Sequence, residues 1–174
     1  MSSYKTLLIP ILNEILVKEI GEANIPPLEW TRVSPTKYKF WVDINDDAEI
    51  VTVEFEHIED DISKQFYFPP KHRNLDNVFN VGYVVSGSEI QFAKTDLKTL
   101  LTILSTVVDI VKNFIKDYPS LDGLYIKGTE KELGSGDISK KTNLYKAFIQ
   151  QQLQNISEFG SDYYREGFIL VKKK

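Results

Sequence analysis

Few side chains in this sequence are equipped for imidazole or thiolate chemistry. There are two histidines, His57 and His72, and no cysteine. A zinc ribbon, a cysteine nucleophile and a disulfide framework are therefore excluded, and a histidine-based triad has little to draw on. His57 ends an alternating run beside acidic residues and His72 lies in a basic loop, so both read as surface histidines. Glu56, Glu59, Asp60 and Asp61 supply oxygen ligands of the kind magnesium or calcium uses. They lack the spacing and the glycine of a calcium loop, and a solvated acidic loop explains them better. Five residues separate Gly128 from Gly134, and neither Lys-Ser nor Lys-Thr follows Gly134, so this segment fails as a phosphate-binding loop. Lys140 and Lys141, opening the next expected helix, are kept as candidate anion-binding residues. No metal and no cofactor is expected.

Asp43, Asp109 and Asp122 invite one enzymatic reading. In the ribonuclease-H-like order, carboxylates on the first strand, a helix and a later strand hold two metal ions that stabilise the attacking and leaving oxygens. Here Asp43 stands at the far end of its run beside a turn, and Asp122 precedes an apolar run instead of following it. Asp109 is set in a very apolar helical stretch, where a single polar edge explains it equally well. Element order alone is analogy. A metal-dependent nuclease therefore stands as the second alternative, with these three as its candidate catalytic residues.

Aromatic residues make up 12% of the chain, enough that some could anchor a protein partner while others fill the core. Trp41, Phe66, Tyr67 and Phe68 are the candidate partner-binding residues, and Trp30, Tyr163 and Tyr164 could also be exposed. Completing the core is the competing explanation for each. Trp41 is the most telling, because strand alternation puts it opposite the apolar stripe.

The elements that must position these residues follow from two periodicities. Leu8, Ile11, Leu12, Ile15, Leu16 and Ile20 recur at helical spacing and predict a helix over 9–20, with Pro10 tolerated in its first turn. Tyr38, Phe40, Val42 and Ile44, then Val51, Val53 and Phe55, alternate with polar residues and predict a hairpin over 37–56 around Asn45, Asp46 and Asp47. A second hairpin is expected over 78–93. Between them, residues 59–77 read as a long connection, of which 65–68 could form a short edge strand. The broad apolar stripe of Leu97, Leu100, Leu104, Val107, Val111 and Ile115 predicts a helix over 96–117 that is largely buried on a sheet and stopped by Pro119. A buried strand at 124–126, a helix over 140–156 and a final strand over 164–171 complete the order. Residues 23–35, rich in proline, read as an extended connection, and 128–141 as a polar, glycine-rich loop.

At 174 residues, 42% of them hydrophobic, the chain is expected to fold as a single domain with its own core. The fold class is α+β: a mainly antiparallel sheet of about five to six strands, with two to three helices packed largely on one face. Residues 1–6 lack the basic stretch of a secretory signal, and the apolar run 7–12 is interrupted by Pro10, so neither a signal nor a membrane span is expected. The net charge of −4 argues against general nucleic-acid binding, which needs a basic surface.

From residue 79 to 174 three stretches stand out: QFAKTDLKTLLTILSTVVDIVKNFIKDYPSLDGLYIKG after the second hairpin, KTNLYKAF opening the next helix, and the closing GFILVKK. This layout resembles a family of small uncharacterised proteins encoded by tailed bacteriophages. Thr106-Val107, Phe114-Ile115, Tyr125 and Lys141, Leu144 and Tyr145 stand where that family has a threonine- and valine-containing helix, an aromatic strand and a Lys, Leu and Tyr helix start. The likeness departs at 91–96, where the family has a glycine-containing turn, and in the longer 128–139 loop. It implies a phage origin and an accessory or virion role, and brings no catalytic residues. The function expected is thus that of a non-enzymatic phage protein binding a host factor or phage protein, in the host cytoplasm. A structural component of the virion is the first alternative.

Overall fold

A computed structural model describes residues 25–86, 97–127, 140–153, 156, 158–165 and 167–174; of residues 97, 127, 140–146 and 163 it describes the backbone. The expected 9–20 helix, the returning strand of the 78–93 hairpin and the 128–139 loop lie outside these residues.

The elements are β1 (Trp30–Ser34), β2 (Lys37–Ile44), β3 (Asp47–His57), α1 (Asp61–Tyr67), a 3-10 turn (Pro70–His72), β4 (Val78–Val85), α2 (Leu97–Asp117), β5 (Gly123–Lys127), α3 (Lys140–Leu153), β6 (Phe159–Tyr164) and β7 (Gly167–Lys172). The strands form one seven-stranded sheet in the order β1-β2-β3-β4-β5-β7-β6. All neighbours are antiparallel except β4 and β5, which are parallel because the chain crosses the sheet as α2 between them. The α+β class and the mainly antiparallel sheet are as expected, with one strand more than the upper expectation.

Three local expectations are corrected. Residues 30–34, read as connection, form edge strand β1, with a register shift between Arg32 and Ser34. An edge strand tolerates such a bulge and the proline that follows. Residues 59–77 hold a helix where a loop or edge strand was expected. Asp60 caps α1 by accepting from the Ser63 N–H at 2.7 Å, and Phe68, which precedes Pro69, ends it in an extended conformation. The closing segment is a hairpin of two strands, β6 and β7, where one was expected. Phe159–Tyr164 contains Gly, Ser and Asp, poor strand formers that pairing with β7 nonetheless orders.

The β2–β3 hairpin turns on Asn45 and Asp46, both at positive φ, 51° and 67°, between the paired Ile44 and Asp47. This is the two-residue turn whose twist matches the strands, and Asn and Asp adopt it at little cost.

Alternation sends Tyr38, Phe40, Val42, Val51, Val53, Phe55, Phe79 and Val81 to one face of the sheet, where α2 and α3 cover them. Leu104, Val107, Ile110 and Val111 of α2 are wholly buried there, and each such side chain contributes about 1.5–3 kcal/mol. Phe55 stacks on Phe114 with ring centroids 3.9 Å apart. Thr106 is the one buried polar residue among those described. Its Oγ1 donates to the Thr102 carbonyl at 2.8 Å and accepts from the Leu28 N–H at 2.9 Å, fastening the segment before β1 onto α2.

The opposite face is divided. Over β4, β5 and β7 the α1 segment forms a second core in which Ile58, Phe68, Val78, Tyr125 and Ile169 are buried. Over β2, β3 and the end of β4, Lys39, Trp41, Glu54, Glu56 and Val84 remain exposed. Among the described residues no helix is long and apolar enough to cross a membrane.

Candidate functional site

The three aspartates occupy three separate places. Asp43 is exposed near the turn end of β2, opposite Ala48. Asp122 lies at the other end of the sheet, where its Oδ2 accepts from the Asn77 N–H at 2.9 Å. The length of β4, roughly 25 Å from its strand rise, separates those two ends. Asp109 stands on α2, across the sheet from Asp43, and its Oδ2 accepts from the Trp30 indole at 2.8 Å. Among the described residues no three carboxylate or imidazole side chains gather as a metal site would require. The acidic group of the sequence is likewise divided: Glu56 is on β3, while Asp60 is used as the α1 cap. The hydrogen bonds from the Ser63 side chain and backbone hold the Asp60 carboxyl below its ordinary range.

The candidate partner-binding aromatics also separate. Phe68 is buried in the second core, a correction to its expected role, since it holds α1 to the sheet. Tyr67 is half-buried, its ring 4.9 Å from that of Tyr125. Phe66 is half-exposed, with the Arg165 guanidinium 4.8 Å above its ring. Trp30 is committed to Asp109 and to an edge-on contact with Tyr38. Tyr164 is half-buried beside Arg165, and the Tyr163 side chain lies outside the described residues. Lys140 and Lys141 open α3, but their side chains also lie outside them. Trp41 differs from all of these, with 63% of its surface exposed.

The register around Trp41 sets out the site in ranks across the strands. Trp41 faces Ile50; Lys39 faces Thr52, which faces Val84; Lys37 faces Glu54, which faces Gly82; and Glu56 faces Asn80. Side chains of facing residues lie on the same side of a sheet, so Trp41, Ile50 and Val84 form an apolar patch beside an acidic pair. Gly82 interrupts the surface, because a Cβ built there would meet nothing within 4 Å. The missing side chain leaves an open trough of about 670 Å³, lined by Thr52, Glu54, Glu56, Asn80, Gly82 and Val84 among others. Ile50, Val84, Glu54 and Gly82 were not singled out from sequence. Alternation carried one step further would have found them, since Ile50 and Glu54 are out of phase with Val51, Val53 and Phe55, and Gly82 and Val84 with Phe79, Val81 and Val85.

A second cavity, of about 720 Å³, lies between the 70–76 segment and the ends of β6 and β7, and is lined by Lys71, His72, Asp76, Asp122, Asp162 and Lys174 among others. Burial pushes the His72 pKa below its ordinary 6.5, with Lys71 and Lys174 acting in the same direction and Asp162 against it. Four lysines, Lys172 and Lys173 included, and three aspartates line this cavity, so charges of both signs border it.

No family model, curated protein or solved structure matches the chain. None of these comparisons links the chain to phage proteins, and of the residues quoted for that expected likeness, those whose side chains are described serve packing. Thr106 pins Leu28, Val107 and Phe114 are buried in the main core, and Tyr125 is buried in the second.

Proposed function

We propose that this chain is a non-enzymatic protein-binding module that docks its partner on the exposed half of the sheet, with Trp41 as the anchor. The observation that carries this reading is Trp41 itself: a tryptophan 63% exposed, on a central β-hairpin, with Ile50 directly opposite and Val84 one rank away. A strand fixes the backbone that carries this side chain before binding, so little backbone ordering entropy is lost when a partner covers it. Tryptophan is also the residue type that most often dominates interface energies. The likeness to phage proteins supports a host factor or a component of the particle as the partner.

Capture of the tagged full chain's partner from infected cells, with Trp41→Ala run alongside, tests the reading. A protein retained in stoichiometric amount by the wild type and lost by Trp41→Ala, with thermal unfolding unchanged, is the expected result. A host protein would identify a host-directed role, and a capsid or tail protein a virion role. Equal retention by both forms overturns the site. If the chain instead assembles through a sheet edge, β1 and β6 are the strands to alter. The last strand, β7, is paired on both sides, by β5 and β6.

A further inference from the structure

We propose that the docked segment of the partner is extended and basic, with an arginine or lysine two positions from an apolar side chain. The cation enters the trough over Gly82, between Glu54 and Glu56, and the apolar side chain lies on Trp41, Ile50 and Val84. This rests on the docking reading above and names the chemistry of what docks.

Charge complementarity carries the argument. The residues lining the trough include Glu54 and Glu56 and no lysine or arginine; its one basic side chain, His57, lies against Glu59. Glu56 has no ion-pair partner among the described residues. Glu54 is met by Lys37 at 3.7 Å, with both side chains substantially exposed. Such a surface pair contributes little and yields easily to a better-placed cation. A partner lying across Trp41 and Val84 and continuing along β4 must cover the neighbouring rank, and so takes the Glu54 carboxylate out of water. An uncharged partner would leave that carboxylate desolvated with only the Lys37 ammonium to meet it, which is unfavourable. An acidic partner would add repulsion.

Geometry sets the spacing. Val84 and Gly82 are alternate residues of one strand, so the apolar patch and the trough are offset by about 7 Å. The same offset separates alternate side chains of an extended peptide. At Gly82 there is room for the incoming side chain because nothing stands within 4 Å of where a Cβ would be.

The test is selection of a random displayed peptide library on the immobilised full chain, with counter-selection on Trp41→Ala. The expected outcome is enrichment of arginine or lysine two positions from an aliphatic or aromatic residue. Binding of those peptides should fall about tenfold or more in the Glu54→Gln, Glu56→Gln double variant and in Gly82→Leu, and weaken as salt rises. The folding of each variant is checked by its urea midpoint. Trp41-dependent peptides that are acidic or uncharged overturn the cation inference and leave the docking reading standing. A selection that yields no Trp41-dependent peptide overturns both.

Discussion

The indole Nε1 of Trp30 donates to Asp109 Oδ2 at 2.8 Å, joining an edge strand to the helix that covers the sheet. This hydrogen bond gives Asp109 a structural role. Trp30→Phe keeps a ring against Tyr38 but leaves the carboxylate without its donor, and is expected to cost about 1–3 kcal/mol in urea unfolding. Asp109→Asn, which retains an acceptor, is expected to cost less than Asp109→Ala. If Asp109→Ala leaves stability unchanged, the bond contributes nothing to the fold.

Thr106→Val is nearly isosteric but removes the oxygen that accepts from the Leu28 N–H. Leaving that N–H without its acceptor is expected to destabilise the protein by about 1–3 kcal/mol. Amide exchange is expected to quicken at Leu28 well before it does within β2 and β3. Unchanged protection at Leu28 would refute the attachment.

Two glycines predict opposite responses. At Gly167 a Cβ would stand 2.7 Å from the Ile126 carbonyl oxygen and would also run into the Tyr125 ring, so Gly167→Ala is expected to cost about 1–3 kcal/mol. At Gly82 the space is open, and Gly82→Ala is expected to raise stability by about 0.4–1 kcal/mol, because alanine has fewer unfolded conformations to lose. Thermal melts of the two variants side by side check the contrast.

Acidification acts through His72. Its folded-state pKa lies below the unfolded 6.5, so the unfolded chain binds this proton more readily. The associated stability is complete above the unfolded value and declines as pH falls through it towards the folded pKa. His72→Gln is therefore expected to lose less stability than the wild type between about pH 7.5 and about pH 5. Parallel urea titrations at the two pH values measure this, and equal losses would exclude His72.

Local regularities in the sequence determined the central parts of this fold. The period of two in Tyr38, Phe40 and Val42 and in Val51, Val53 and Phe55, with Asn45 and Asp46 between, specifies the β2–β3 hairpin. The wide apolar stripe specifies α2. Strand β1 was not legible because its five residues are flanked by Pro26, Pro27 and Pro35, and β6 because its Gly, Ser and Asp are poor strand formers; both are ordered by pairing, with β2 and β7. Helix α1 was obscured because its cap, Asp60, resembled one more member of an acidic loop.

The site shows the same boundary. Alternation puts both Trp41 and Tyr125 on the sheet face away from α2, and nothing in their immediate sequence separates them. Tyr125 is buried and Trp41 is 63% exposed because the 58–77 segment crosses the sheet over β4, β5 and β7 and not over β2 and β3. Which face a strand residue takes is a property of its own backbone. Whether that face is covered depends on where a distant segment packs, and that was decided only in the tertiary structure.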